Sequence, residues 1–366
     1  MPTASIPPPT TPLRWDVFCR VIDNLGDLGL CWRLCADLAG RGHQVRLWCD
    51  DASALPWMAP QSAAGVQVLP WRDPLPWEQP GDVVIEAFGC DPPPAFVERM
   101  AASASAPVWI NLEYLSAEAY VARSHGLPSP QGAGPGRGLT KWFYYPGFTQ
   151  GTGGLLREPG LLARRGRFDR DAFLARHGAR VQRGERVVSV FCYDIGQLPA
   201  LLGRLSPEPA LLLVCAGPTQ VDVMAAAGNS PGLRSLPLPW LTQPDYDHLL
   251  WSCDLNLVRG EDSFVRAQWA GAPFLWQVYW QQDGAHAPKL EAFLQAQLAH
   301  VKPRLADRMA AASRAWNGMA AWPEELPALD DWAVACRQWR DELEAEDDLT
   351  SQLLAFIARR RDTPSG

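Results

Sequence analysis

The chain has 366 residues, 47% hydrophobic and 20% charged, enough for two domains of ordinary size rather than one core. Its net charge of −7, without a basic tract, argues against recognition of DNA or RNA through phosphates, which needs clustered Lys and Arg. No apolar run approaches the roughly 20 residues that span a bilayer, and the Pro- and Thr-rich stretch 1–12 lacks the basic and apolar regions of a secretory signal. Nine cysteines at irregular spacing, with no Cys-x-x-Cys pair, point to reduced thiols; Cys31 and Cys35 share one helical face and are expected to be buried. A cytoplasmic protein with neither membrane nor nucleic-acid partner is the expectation. Seventeen tryptophans are assigned mainly to cores and interfaces, with some available to line a sugar or nucleotide site.

Residues 15–22 are short, β-branched and aromatic, and predict a buried strand. The loop Asp23-Asn24-Leu25-Gly26-Asp27 follows, then a helix with Leu30, Leu34 and Leu38 at i, i+4, i+8 that ends near Gly40 and Gly42. With a strand at 45–49 this is a βαβ unit, hence a parallel sheet, and 83–87 and 108–112 are further strands of it. The stretch 129–154 reads as loop, because Gly132, Gly134, Gly136, Gly138, Gly151, Gly153 and Gly154 crowd into it. A second alternation begins near Arg186, with strands at 187–192, 211–215, 236–238 and 255–258 and helices at 197–205, 246–253 and 263–270. The stretch 331–361 is charged and helical. The expected architecture is α/β, two Rossmann-like domains facing a cleft, with divisions 13–182 and 183–345 and a terminal piece 346–366 returning to the first domain. Ligands in such sheets sit at the carboxyl ends of the strands.

Two places can carry chemistry. The loop after the first strand holds Asp23 and Asp27 at the cleft mouth. Asp27 also precedes a helix, so a helix cap and a functional acid are equally good readings, whereas Asp23 lies too early to cap. Gly26 and Gly29 do not make a Gly-x-Gly-x-x-Gly turn, and two acids would repel a pyrophosphate, which argues against a dinucleotide-binding enzyme. The second place is Arg259-Gly260-Glu261-Asp262-Ser263-Phe264, between a strand and a helix. Arg259 can pair with phosphate oxygens, and a helix start near Ser263 offers free N–H groups and the positive dipole end. A capped helix with a surface ion pair is the plainer alternative. Upstream, Gln243 and Tyr246 are suited to the edge and face of a nucleobase.

Other candidates have structural explanations. Asp245-Tyr246-Asp247 imitates a metal-holding Asp-x-Asp, but capping and surface solvation account for both acids. Gln277, Tyr279, Gln281, Gln282 and Asp283 form a polar cluster that can line a ligand, while His286 reads as structural. Glu113 and Tyr114 follow a strand of the first domain and reach the same cleft edge. Gly151-Thr152-Gly153-Gly154 is a ligand cradle or a hinge.

Several ungapped stretches resemble the EarP family of protein-arginine rhamnosyltransferases. They are Phe18-Cys19-Arg20-Val21-Ile22-Asp23-Asn24-Leu25-Gly26-Asp27-Leu28-Gly29-Leu30-Cys31-Trp32-Arg33-Leu34, Asn111-Leu112-Glu113-Tyr114-Leu115-Ser116 and Pro146-Gly147-Phe148-Thr149. Thr152-Gly153-Gly154-Leu155-Leu156-Arg157-Glu158 and Arg259-Gly260-Glu261-Asp262-Ser263-Phe264-Val265-Arg266-Ala267-Gln268 complete the set. The resemblance runs from Trp15 nearly to the end, and Leu25 departs from it where the family carries an aromatic residue. It implies the GT-B glycosyltransferase architecture, dTDP-β-L-rhamnose as donor, translation elongation factor P as protein acceptor, inversion at the anomeric carbon, and no metal or cofactor. Carried over by position, Asp27 is the general base, Asp23 its partner in holding the guanidinium, and Glu261 a third essential acid. Phe191, Tyr193, Gln243, Tyr246, Arg259, Asp262 and Ser263 take donor-site roles, with Glu113 and Tyr114 on the acceptor side. The competing expectations are a small-molecule glycosyltransferase of the same fold, and a non-catalytic binding module built on the tryptophans and the helix 342–361.

Overall fold

The structure is a computed structural model and describes residues 11–22, 25–71, 79–282 and 284–361. Its first half runs β1 (Arg14–Cys19), α1 (Gly26–Gly40), β2 (Gln44–Cys49), α2 (Leu55–Met58), β3 (Val66–Pro70), β4 (Val83–Ala87), α3 (Pro94–Ala102), β5 (Val108–Leu112), α4 (Tyr120–Ser124), β6 (Pro128–Pro130) and β7 (Thr140–Tyr144). Two short helices, α5 (Leu161–Gly166) and α6 (Arg170–Arg176), lead into β8 (Arg186–Val190), α7 (Leu198–Leu205), β9 (Ala210–Val214), α8 (Gln220–Gly228) and β10 (Leu233–Pro237). Then come α9 (Gln243–Ser252), β11 (Leu255–Arg259), α10 (Asp262–Ala270), β12 (Phe274–Gln277), α11 (His286–Gln297), α12 (Pro303–Trp316), α13 (Leu329–Glu344) and α14 (Leu349–Arg361).

Among the described residues the strands form two sheets, ordered β3-β2-β1-β4-β5-β7-β6 and β10-β9-β8-β11-β12. All neighbours pair in parallel except β6 with β7. Both sheets thus start from a central strand, wind outward, and return to its other side. A parallel sheet covered on both faces needs strands apolar on both faces, and β1 meets that demand. Trp15, Val17 and Cys19 enter the core under α1, while Phe18 points the other way, stacked on Trp48 at 5.8 Å and edge-on to Phe96 of α3 at 4.9 Å. The strand ends at Cys19, earlier than its apolar run predicts. All nine cysteines are buried and free of disulfides, and no helix among the described residues is long and apolar enough to cross a membrane.

Two sequence expectations are corrected. The stretch 129–154 is not simply loop, because β7 sits inside it and pairs with β5. Of the glycines at its end, Gly151 and Gly154 hold left-handed backbones (φ 83° and 70°), and Gly153 and Gly154 are also closely packed. A Cβ on Gly153 would lie 2.3 Å from the Tyr144 ring, and one on Gly154 would lie 2.5 Å from Gln352 of α14. The helical stretch 331–361 is two helices. Trp332, Cys336, Trp339 and Leu343 of α13 belong to the core of the second sheet, and Leu349, Leu353, Phe356 and Ile357 of α14 to that of the first. Arg157 holds the break between them, donating to the carbonyls of Glu344 and Glu346 at 3.0 Å each.

Candidate active site

In each sheet the strand order reverses beside the central strand, between β1 and β4 and between β8 and β11, and that is where a crevice opens. Helix α1 starts just past β1, and α10 just past β11. Between the units lies a cleft bordered by Gly26 and Arg33 of α1, Trp57 and Met58 of α2, and, across from them, Phe191, Tyr193, Trp240, Gln243, Tyr246, Arg259, Asp262 and Ser263. The seven residues singled out for the donor therefore face one space.

On the first side, Asp27 is 3% exposed and sits in the first turn of α1. Leu25 occupies the cap position, so Asp27 is not the N-cap that its spacing also allowed. An acid in this turn lies at the positive end of the helix dipole. Its carboxylate is oriented from both sides: the Ile22 N–H donates to Oδ2 at 2.9 Å, and the Tyr114 hydroxyl to Oδ1 at 3.5 Å. Tyr114 is itself aimed, its ring stacked on Phe88 at 4.1 Å. Phe88 holds a left-handed backbone (φ 58°), a conformation that bulky residues adopt only where the surroundings enforce it. Glu113 accepts from Asn111 Nδ2 at 2.8 Å, and burial pushes its carboxyl above the ordinary range, against the effect of that hydrogen bond. Asp23 lies outside the described residues.

On the second side, Arg259 ends β11 and lies buried over two rings, 4.2 Å from the Phe191 centroid and 4.8 Å from that of Tyr193. It donates to the Cys192 carbonyl at 3.3 Å. Gly260 follows with φ 62°, a left-handed turn that a glycine adopts without strain, and α10 begins at Asp262 without a side-chain cap. The surface ion pair and capped helix are therefore not what this segment forms. Ser263 is spent locally: its hydroxyl donates to the Arg259 carbonyl. Glu261 crosses to the first unit and accepts from the Leu115 N–H at 3.0 Å. Tyr246 meets Phe191 edge-on at 5.9 Å; its hydroxyl is buried without a well-formed hydrogen bond among the described residues, and burial raises its pKa well above the usual tyrosine value.

Behind the cleft, sequence reasoning missed a buried ion cluster. Arg33 of α1 lies 3.0 Å from Asp262, 3.2 Å from Glu158 and 3.3 Å from Asp247. Arg266 of α10 binds Asp247 through two contacts of 2.7 Å and Glu158 through a third. Asp247 is therefore neither cap nor solvated acid. The cap of α9 is Thr242, whose Oγ1 accepts from Asp245 N–H at 3.1 Å, and Asp245 pairs with Arg176. Burial would raise the Glu158 carboxyl, but Arg266 and Arg33 outweigh it and hold it at about 2. For Asp262 burial dominates the same two cations, and its pKa is raised. Gln243 joins the contact, donating from Nε2 to the Gly29 carbonyl at 2.9 Å. The signal in the sequence was Arg33 and Arg266 at interior positions of apolar helices.

The polar cluster after β12 divides. Gln277 is buried and braces the turn after β8: its Oε1 accepts from the Tyr193 N–H at 2.6 Å and its Nε2 donates to Asp194 Oδ2 at 3.0 Å. Tyr279, Gln281 and Gln282 are exposed, Asp283 lies outside the described residues, and His286 Nδ1 accepts from the Gln281 N–H at 3.4 Å. Two tryptophans absent from the predicted site, Trp57 and Trp240, meet across the cleft mouth at 4.6 Å.

The family model described as Elongation-Factor P (EF-P) rhamnosyltransferase EarP matches residues 15–358. The chain belongs to the EarP family. A protein-arginine rhamnosyltransferase of Pseudomonas aeruginosa is 43% identical over 94% of this chain and 98% of its own length. One of Neisseria meningitidis is 32% identical, over 96% and 99%. A solved structure on EarP-mediated arginine glycosylation of translation elongation factor EF-P superposes with a TM-score of 0.64 at 30% identity, covering 96% of this chain and all of that one. The calicheamicin glycosyltransferase CalG4, at 13% identity and a TM-score of 0.54 over 96% of this chain, matches in fold alone. The two facing Rossmann-like units of this EarP family member are the GT-B architecture.

Proposed function

We propose that the chain transfers L-rhamnose from dTDP-β-L-rhamnose to an arginine side chain of translation elongation factor P, inverting the anomeric centre. Family membership supports the acceptor. The observations that support the chemistry are a buried carboxylate, Asp27, beside Gly26 on one wall of the cleft, and a buried guanidinium, Arg259, with the uncapped start of α10 on the other.

A guanidinium is a poor nucleophile, because its lone pairs are delocalised and it holds its proton beyond pH ~12. Asp27 and Asp23 align one nitrogen against the anomeric carbon, on the face opposite the diphosphate. The C–N bond forms with the nitrogen's electron pair, the anomeric C–O bond breaks, and its pair departs with the diphosphate. The proton leaving nitrogen passes to Asp27, a step worth ~10²–10⁴-fold. Arg259 and the free N–H groups of α10 receive the charge on the leaving group. Glu261 stands at the donor sugar; Phe191, Tyr193, Gln243, Tyr246, Asp262 and Ser263 surround the nucleotide; Glu113 and Tyr114 border the acceptor. The scheme assigns no step to a metal. In it, 13–182 is the acceptor unit and 183–345 the donor unit, with 346–366 returning to the former.

The test is incubation of the purified chain with EF-P and dTDP-β-L-rhamnose, followed by mass spectrometry and NMR of the product. A deoxyhexose on one arginine, in the α configuration, is expected. Transfer only to free arginine or another small acceptor would overturn the proposal.

A further inference from the structure

Arg33 lies about one and two-thirds turns beyond Asp27 on the same helix, yet its partners Asp247 and Asp262 belong to the second sheet's unit. It reaches Asp262 at 3.0 Å, Asp247 at 3.3 Å and the Gln243 carbonyl at 3.3 Å on α9 and α10, and Glu158 at 3.2 Å on the segment between β7 and α5. Asp262 is the first residue of α10, next to Glu261 and Ser263. One rigid helix therefore carries Asp27 at one end of its opening turns and a three-carboxylate anchor at the other. The approach is tight: a Cβ on Gly29 would sit 3.3 Å from Asp262 Oδ2 and 3.4 Å from Gln243 Nε2.

We infer that Arg33 is a positioning residue of the transfer reaction, locking the turn that bears Asp27 in register with the start of α10 at the donor site. This inference rests on the reading of the site given above. Arg33 itself does not touch the reacting atoms in that scheme; it acts through the placement of Asp27 relative to Glu261, Asp262 and Ser263. A planar guanidinium has the donors to engage three carboxylates at once, whereas an ammonium keeps the charge without that fork. An isolated ion pair here would be weak evidence for stability, but a cluster that spans two units sets their relative position. Misplacement by about 1 Å costs a positioned reaction on the order of 10²-fold.

The test uses the full chain with EF-P and dTDP-β-L-rhamnose, and reads single-turnover transfer at saturating donor beside the calorimetric affinity for dTDP. In Arg33→Lys the rate should fall by about 10²-fold, with dTDP affinity changed by no more than about threefold. Because this variant can fail to fold, Gly29→Ala provides the second measurement. Alanine favours a helix, and its added methyl pushes Asp262 and Gln243 away by a few tenths of an ångström. Its rate should fall by roughly tenfold, with the melting temperature unchanged. Transfer near the wild-type rate in folded Gly29→Ala, or a loss in Arg33→Lys that merely follows lost dTDP affinity, would overturn the inference. A wild-type chain that does not rhamnosylate EF-P would instead overturn the function on which it rests.

Discussion

The β1–α1 and β11–α10 junctions each lead from a buried parallel strand to a helix start, but the first holds the carboxylate of Asp27 and the second sets the guanidinium of Arg259 beside Glu261 and Asp262. At α1 the turn holds a buried carboxylate, oriented by Ile22 N–H and the Tyr114 hydroxyl. At α10 the strand ends in a guanidinium laid on Phe191 and Tyr193, and the helix opens without a side-chain cap. A Rossmann-like turn therefore does not dictate the ligand. The side chains placed around the strand end and the first helical turn do, and at β11–α10 Arg259, Asp262 and Ser263 all line the cleft.

The contrast can be broken most sharply at Asp27. Asp27→Asn keeps the size and removes the base, so transfer should fall by ~10²–10⁴-fold, while calorimetry finds dTDP bound as in the wild type. Turnover close to normal at saturating donor would remove Asp27 from the role of base. The opposite pattern is expected at Arg259. Arg259→Met loses charged hydrogen bonds to the diphosphate, each worth about 1.5–3 kcal/mol, so dTDP affinity should drop by roughly 10–100-fold in a protein whose circular dichroism is intact. Unchanged dTDP binding would mean that the leaving group lies elsewhere. The smallest effect belongs to Tyr246, whose hydroxyl lacks a well-formed hydrogen bond among the described residues. Tyr246→Phe should leave thermal stability the same or raise it by up to ~1 kcal/mol, with dTDP affinity falling within roughly tenfold if that hydroxyl serves the nucleotide. A large loss of stability would show that the hydroxyl is already engaged in the fold.

Much of the framework is legible in the chain itself. Runs such as Ala210–Val214 are apolar on both faces, as a covered parallel sheet requires, and the strand–turn–helix order by itself puts Asp27 and Arg259 near strand ends. The misses share one cause. Asp247 reads as a surface acid because nothing near it in sequence is cationic, while its partners Arg266 and Arg33 lie 19 and 214 residues away. Gly153 and Gly154 read as a cradle because glycine is most often a matter of backbone freedom. Gly153 is also constrained by contact with Tyr144, and Gly154 by both its left-handed backbone (φ 70°) and the approach of Gln352 from a returning helix. The strand Thr140–Tyr144 was hidden among turn glycines, and Phe356 of that same helix packs edge-on against Trp142 at 6.3 Å.

Local pattern alone determined the two α/β alternations, the buried cysteines and the acids and guanidinium at the strand ends, since apolar period and turn chemistry act over a few residues. Only the tertiary structure decided which charges neutralise one another, which glycines are forced, and that seven residues scattered from Phe191 to Ser263 line one cleft with α1. Ion pairing and steric exclusion act through space at a few ångströms, and the sequence distance between the groups involved carries no trace of that separation.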